Sequence, residues 1–126
     1  MAITFHPRPG TILVCDFRGF IAPEMVKLRP VVVISPHHIS RPGLYTVIPL
    51  SQTEPIPLEP YHVHFPHTPV PGERGPCWAK CDMVVSVAAE RLDRKKIGRG
   101  DYRVVNIKQD ELDAILAGVK YALGIK

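Results

Sequence analysis

Proline limits what this chain can fold into more than any other residue. Fourteen of its 126 residues are proline, and most of them lie between Pro23 and Pro76. Because proline lacks a backbone N–H and its ring clashes with the preceding helical turn, this segment cannot form long helices. We therefore expect loops and short strands, rather than helices, between Pro23 and Pro76.

The clearest strand in the sequence is the β-branched run VVVI at residues 31–34. An unbroken run of this kind is typical of a strand buried on both faces. Lys27 and Arg29 stand immediately before it, and Arg29 is biased to extended backbone because it precedes Pro30. An arginine held in a fixed position can bind phosphate, although a solvated basic strand edge would also account for the two cations.

Several further segments have the alternation or the apolar runs of strands. They are TILVCDF at 11–17, LYTVIPL at 44–50, YHVHF at 61–65, CWAKCDMVVSV at 77–87 and a last strand at 101–105. After them comes an apolar stripe at helical spacing, expected to pack mainly within the molecule: Leu112, Ile115, Leu116, Val119 and Leu123. Asn106 is the predicted N-cap of this helix and Gly124 its stop.

The order of elements predicts one domain spanning residues 1–126. It is mainly β, with a small SH3-like barrel at about 8–105 and a C-terminal helix at about 108–123. The net charge of +4 and the pI of about 9.1 permit an anionic partner.

Composition also argues against a membrane or exported protein. No apolar stretch of ~18 residues exists, and Met1 to Gly10 lacks the apolar core of a signal peptide. We therefore expect a cytoplasmic protein with three reduced cysteines, Cys15, Cys77 and Cys81. Their spacing is not that of a zinc knuckle and the common nucleotide-hydrolase and hydrolase motifs are absent, so we expect no metal and no cofactor.

Two further groups of residues have both a structural and a chemical interpretation. If residues 77–87 are one strand, Lys80 and Asp82 share a face, either as a surface ion pair or as an acid and a base. Ser51 follows the strand at 44–50, where its hydroxyl could cap a turn or donate to a phosphate oxygen.

Taken together, these segments resemble the PemK/MazF/Kid family of toxins from type II toxin–antitoxin systems. The resemblance is carried by K-x-RP-VVVIS, by T-V-I-P-L-S and by the KCDM segment, which occur in that order from about Arg8 to Ile125. It implies a small SH3-like barrel with a C-terminal helix, and a homodimer. It also implies a metal-independent endoribonuclease that cuts single-stranded RNA to 2′,3′-cyclic phosphate and 5′-OH ends, and a cognate antitoxin that covers the RNA groove.

The resemblance also implies catalytic roles for four residues. Arg29 matches the arginine of the RP motif, expected to stabilise the phosphorane. Ser51 stands where the family usually has threonine, so the hydroxyl is kept. Asp82 matches a proposed general base, and Lys80 stands where other members have arginine as the acid.

Binding of RNA or antitoxin is implied for three residues, Glu24 in the loop after the first strand, Lys27 and Gln52. Two other functions are compatible with the same fold. One is a CcdB-like toxin that poisons DNA gyrase by binding it, and the other is a non-catalytic SH3-like regulatory module.

Overall fold

Strands dominate the computed structural model, which describes residues 3–37 and 41–126. Ten strands precede one α-helix in these two ranges. They are β1 (Thr11–Asp16), β2 (Leu28–Val33), β3 (Leu44–Ser51), β4 (His62–Phe65), β5 (Cys77–Lys80), β6 (Val85–Ala88), β7 (Leu92–Asp93), β8 (Lys95–Gly98), β9 (Asp101–Arg103), β10 (Val105–Asn106) and α1 (Gln109–Ala122). This confirms the prediction of a mainly β chain with a C-terminal helix.

One antiparallel sheet contains eight of the strands. Its order is β10-β1-β2-β3-β5-β4, with β6 also paired to β3 and β7 to β1, while β8 and β9 form a separate hairpin. Within residues 3–37 and 41–126 no pairing joins β10 to β4, so closure into the expected SH3-like barrel is not detected.

The valine strand is buried on both faces, as predicted. Val31 and Val33 belong to one apolar cluster and Val32 to another, and all three side chains are fully buried. Burying a valine side chain stabilises a fold by roughly 1.5–3 kcal/mol, so β2 is a central anchor of the sheet. Arg29 lies inside this strand, which begins at Leu28, and not in front of it.

The prediction of one strand at residues 77–87 is wrong. β5 ends at Lys80, a 3-10 turn occupies Cys81–Met83, and β6 begins at Val85. The turn lets β5 pair with the end of β3 while β6 pairs with its beginning. The predicted last strand at 101–105 is likewise divided, into β9 and β10.

The helix ends where the sequence predicts but begins differently. Lys108 is the N-cap, and its N–H donates to the Glu111 carboxylate at 2.8 Å. Asn106 is therefore not the cap, and its side-chain oxygen accepts from the Thr11 hydroxyl at 2.7 Å instead. At the other end Gly124 has a φ of +71°, and the N–H groups after the helix bond back in a Schellman arrangement.

The predicted apolar stripe of α1 is only partly buried. Leu112 and Ile115 are in the core and Val119 packs against it. Leu116 and Leu123 are 37% and 57% exposed, because the helix turns these positions away from the sheet. In the part of the chain that the structure describes, no helix has the length and apolarity needed to cross a bilayer.

Candidate active site

The strand register brings together two residues that are 22 positions apart in the sequence. β2 and β3 are antiparallel, with Val31 opposite Pro49. The β2–β3 pairing ends there, and Arg29 and Ser51 each lie two residues beyond this pair, at the same end of the ladder. Because side chains alternate between faces, both residues share the face of Val31 and Pro49.

Arg29 and Ser51 line one cleft, here called the Arg29 cleft. It has a volume of about 120 Å³, and its wall also includes Gln52, Thr53 and Glu73. The Ser51 oxygen accepts the Thr53 N–H at 3.1 Å, while its own proton has only a 3.5 Å contact with the Thr53 carbonyl oxygen. The hydroxyl proton is therefore weakly engaged and can be redirected to a ligand.

Two loops complete the Arg29 cleft. The amide nitrogen of Gln52 donates to the Arg74 carbonyl oxygen, which ties the end of β3 to the loop before β5. Glu73 in that loop pairs with Lys95 of β8 at 3.4 Å. Gly72 beside it has a φ of +79°, and a Cβ there would approach Ile97 at 2.9 Å, so this loop packs tightly on the β8–β9 hairpin.

Lys80 and Asp82 line a second cleft, the Lys80 cleft, with Glu59, Tyr61 and His62. Asp82 reaches it from the 3-10 turn and not from a shared strand face. Burial, followed by the negative charges of Asp82 and Glu59, raises the pKa of Tyr61 above its ordinary value.

The two clefts lie close together on one side of the sheet. Ser51 is opposite Trp78 in β5, and Lys80 is two residues further along the same strand face. Ordinary strand spacing and rise put the Cα atoms of Ser51 and Lys80 about 8 Å apart. That separation is within the reach of a long lysine side chain directed toward Ser51.

Glu24 lies in a third cleft, of about 280 Å³, which also contains Asp82 and the ring of Phe20. The Glu24 carboxylate accepts the Ile21 N–H at 2.7 Å, so it caps its own loop. Asp82 therefore borders both the Lys80 cleft and the Glu24 cleft.

A cluster of charged side chains holds the base of the Glu24 loop. Arg91 donates to the backbone oxygens of Asp16 at 2.8 Å and Arg18 at 3.0 Å, and its guanidinium lies 4.6 Å from the Phe20 ring centroid. The hydrogen bonds from the Arg18 side chain are the main cause that lowers the pKa of Asp16 to about 2. The loop therefore leaves β1 in a fixed direction.

The structure thus divides the predicted site residues into groups. Arg29, Ser51 and Gln52 share one cleft, Lys80 and Asp82 share the next, and Glu24 borders Asp82. Lys27 is exposed and lines none of these three clefts. Glu73 was missed because its place depends on a loop packing that sequence periodicity does not reveal.

Solved toxin structures share this fold over nearly the whole chain. MazF from Deinococcus radiodurans has a TM-score of 0.71 at 20% identity, with 96% of this chain and 99% of that chain covered. A MazE–MazF structure from the same organism has a TM-score of 0.64 at 20% identity, covering 97% and 99%. An endoribonuclease in complex with its cognate antitoxin from a mycobacterial species has a TM-score of 0.62 at 17% identity, covering 96% of each chain.

The sequence itself decides the family. No curated protein matches the chain. The family model described as PemK-like, MazF-like toxin of type II toxin–antitoxin system matches residues 8–123. This confirms the resemblance seen in the RP, VIPLS and KCDM segments, and the chain belongs to the PemK-like, MazF-like toxins of type II toxin–antitoxin systems.

Proposed function

We propose that this toxin is an endoribonuclease that cuts single-stranded RNA at a phosphate bound in the Arg29 cleft. The observation that carries the proposal is the cleft itself, where an arginine and a hydroxyl lie on opposite paired strands of a MazF-like fold. Related structures described as endoribonucleases share that fold. The basic charge of the chain suits an RNA substrate.

The reaction is an internal transfer that needs no water and no metal. The ribose 2′-oxygen attacks the adjacent phosphorus, a P–O2′ bond forms, and the P–O5′ bond breaks. The products are a 2′,3′-cyclic phosphate and a 5′-OH end. Arg29 neutralises the charge that develops on the phosphorane, and the Ser51 hydroxyl donates to one of its oxygens.

Residues of the neighbouring Lys80 cleft carry out the two proton transfers. Asp82 accepts the 2′-OH proton, and Lys80 supplies a proton to the departing 5′-oxygen. The distance of about 8 Å between the Cα atoms of Ser51 and Lys80 supports these separate roles. At that distance a phosphate bound by Arg29 and Ser51 is also within reach of the Lys80 side chain. Lysine has only a point charge where other members have a planar guanidinium, so it gives less bidentate phosphate binding.

Protein partners follow from the same family. MazF of D. radiodurans has been crystallised with MazE, and the mycobacterial endoribonuclease with its cognate antitoxin. We propose that a cognate antitoxin protein binds this chain over the Glu24, Lys27 and Gln52 region, and that the toxin acts as a homodimer.

The deciding experiment is cleavage of single-stranded RNA by the purified chain in EDTA, with sequencing of the new 5′-OH ends. Wild type should cut at defined sites, and Arg29→Ala should lower the rate at least ~10²-fold because a charge-stabilising group is lost. Arg41→Ala is the matched control, since Arg41 is exposed and lines none of the clefts described.

Uncut RNA at micromolar wild-type protein would contradict the proposal. Full toxicity of Arg29→Ala in cells would do the same, and would favour a CcdB-like action on gyrase by binding alone.

A further inference from the structure

The Arg29 cleft continues into a larger one on its far side from Ser51. This hairpin cleft holds about 460 Å³ and shares Arg29, Pro30 and Glu73 with the Arg29 cleft. Its opposite wall is formed by the β8–β9 hairpin and the two residues before it, through Asp93, Arg94, Lys95, Lys96 and Tyr102. A volume of this size lies within the ~300–1,000 Å³ typical of ligand sites.

The hairpin segment places two cations beside one aromatic ring. Lys96 is directly opposite Tyr102 in the hairpin, and Arg94 lies between β7 and β8, immediately before the hairpin begins at Lys95. The Arg94 guanidinium lies 4.4 Å from the Tyr102 ring centroid. Stacking on the ring fixes the guanidinium in advance, so less side-chain entropy is lost when it binds a phosphate.

The basic side chains of the hairpin segment differ in whether they have an acidic partner. Lys95 pairs with Glu73 at 3.4 Å, Arg103 pairs with Asp101 at 3.3 Å, and Arg94 Nε lies 3.8 Å from the Asp93 carboxylate, a long contact between two partly exposed side chains. Over the described part of the chain, Lys96 has neither an ion pair nor a side-chain hydrogen bond. Residues 93–103 contain five basic and two acidic side chains, so this segment accounts for most of the net charge of +4.

We propose that Arg94, Lys96 and Tyr102 form a second RNA subsite, which binds the phosphate and base of a nucleotide flanking the one held by Arg29. The proposal rests on the proposed function, because it extends the path of the same RNA strand. A basic groove with an aromatic face is what a single strand requires, since cations bind its phosphates and the ring stacks on a base of any identity.

The test measures binding without cleavage. A labelled random-sequence 2′-O-methyl RNA, which has no free 2′-OH to attack, is titrated by fluorescence anisotropy at several salt concentrations. Replacing Arg94 and Lys96 with glutamine removes two phosphate contacts, so the slope of log affinity against log salt should fall by about 1.4. The control is the double change Lys108→Gln and Lys120→Gln, which removes the same charge from exposed positions that line neither cleft.

The aromatic contribution is tested separately. Tyr102→Leu should weaken binding roughly five- to 100-fold by removing a stacking face, whereas Tyr102→Phe keeps the ring and should bind as wild type does. Unchanged thermal melting of each variant shows that the fold is intact.

The outcomes separate this proposal from the previous one. If wild type binds the analogue and the Arg94/Lys96 variant shows the predicted fall in salt slope, but wild type cuts no RNA, the subsite stands and the nuclease function fails. If wild type cuts RNA while the Arg94/Lys96 variant binds and cuts as well as the lysine control, the nuclease function stands and the subsite is refuted. Absence of any binding by wild type would also refute it.

Discussion

Ser51 ends β3 with its hydroxyl turned back toward its own chain, in contact with the backbone of Thr53. It is buried, yet it borders the Arg29 cleft. A residue in this position is held by the sheet and needs only a small rotation to donate to a ligand. The role proposed for it therefore depends on one hydroxyl group.

Ser51→Ala should lower the cleavage rate roughly 10²-fold, in line with loss of one donor to a developing anion. The free energy of unfolding should fall by only about 1 kcal/mol, because the Thr53 N–H loses a partner near the surface. Cleavage kinetics and urea denaturation measure the two effects.

Ser51→Thr restores a hydroxyl and should recover most of the rate. Ser86→Ala serves as control, because Ser86 also uses its hydroxyl within the sheet, in a 2.7 Å contact with Thr46, away from the clefts. An Ala variant as active as wild type would remove Ser51 from the mechanism.

Apolar patterns located the strands that carry Arg29 and Ser51, and the resemblance of the RP and VIPLS segments to the toxin family singled out these two residues. Sequence reasoning misplaced Asp82, since a 3-10 turn interrupts an otherwise strand-like run. It missed Glu73 and Tyr102 because their positions come from packing between a loop and a hairpin far apart in the chain. Local pattern predicts elements well, but contacts between irregular segments depend on the whole fold.

At the scale of elements, the contact between α1 and the 3-10 turn determines where Asp82 lies. Gly118 of α1 faces this turn so closely that a Cβ would meet Cys81 Sγ at 2.8 Å and the Tyr61 backbone oxygen at 2.9 Å. Glycine inside a helix costs about 1 kcal/mol relative to alanine, so its presence here reflects the close approach.

Gly118→Ala should destabilise the fold by about 1–2 kcal/mol, because overpacking outweighs the gain in helix propensity. Cleavage should fall as well, since the turn that bears Asp82 must shift. Gly98→Ala is the control, because a Cβ there has ordinary contact at 3.8 Å and the backbone is compatible with alanine.

Combining Gly118→Ala with Cys81→Ala tests whether the clash with the Cys81 sulfur causes the destabilisation. Removing the sulfur should relieve part of the clash, so the two free-energy changes should not add. If the two changes in the free energy of unfolding, measured by urea denaturation, simply add, then the contact with Cys81 is not the reason why position 118 needs glycine.

For the molecule as a whole, the three buried thiols make stability depend on pH. Cys15, Cys77 and Cys81 are all free and buried. Desolvation by burial raises the pKa of Cys15 and of Cys81 to about 12 from an ordinary value of 9.0, and it raises the pKa of Cys77. The folded state therefore keeps thiol protons that the unfolded chain releases above pH 9.

Stability should consequently fall as the pH rises above 9. In that range the unfolded state binds fewer protons, so the free energy of unfolding declines by up to ~1.4 kcal/mol per pH unit for each thiol. Urea denaturation at pH 8, 9 and 10 measures the slope. In Cys15→Ala the free energy of unfolding should fall less steeply with pH, because one of the three contributing thiols is gone. Equal slopes in the variant and wild type would contradict the raised pKa of Cys15.

The β8–β9 hairpin is hydrogen-bonded as a sheet of its own, and it packs against the loop before β5 at Gly72 and through the Glu73–Lys95 pair. Packing therefore constrains Ile97 and Lys95, whereas the exposed Lys96 side chain is outside those two contacts. Because β8 and β9 share no ladder with the main sheet, a change of charge in this hairpin leaves the hydrogen bonds of the strands that hold Arg29 and Ser51 intact. If the proposed subsite binds RNA, a change of charge in this hairpin alters how tightly the strand is held and leaves the cleavage groups in place.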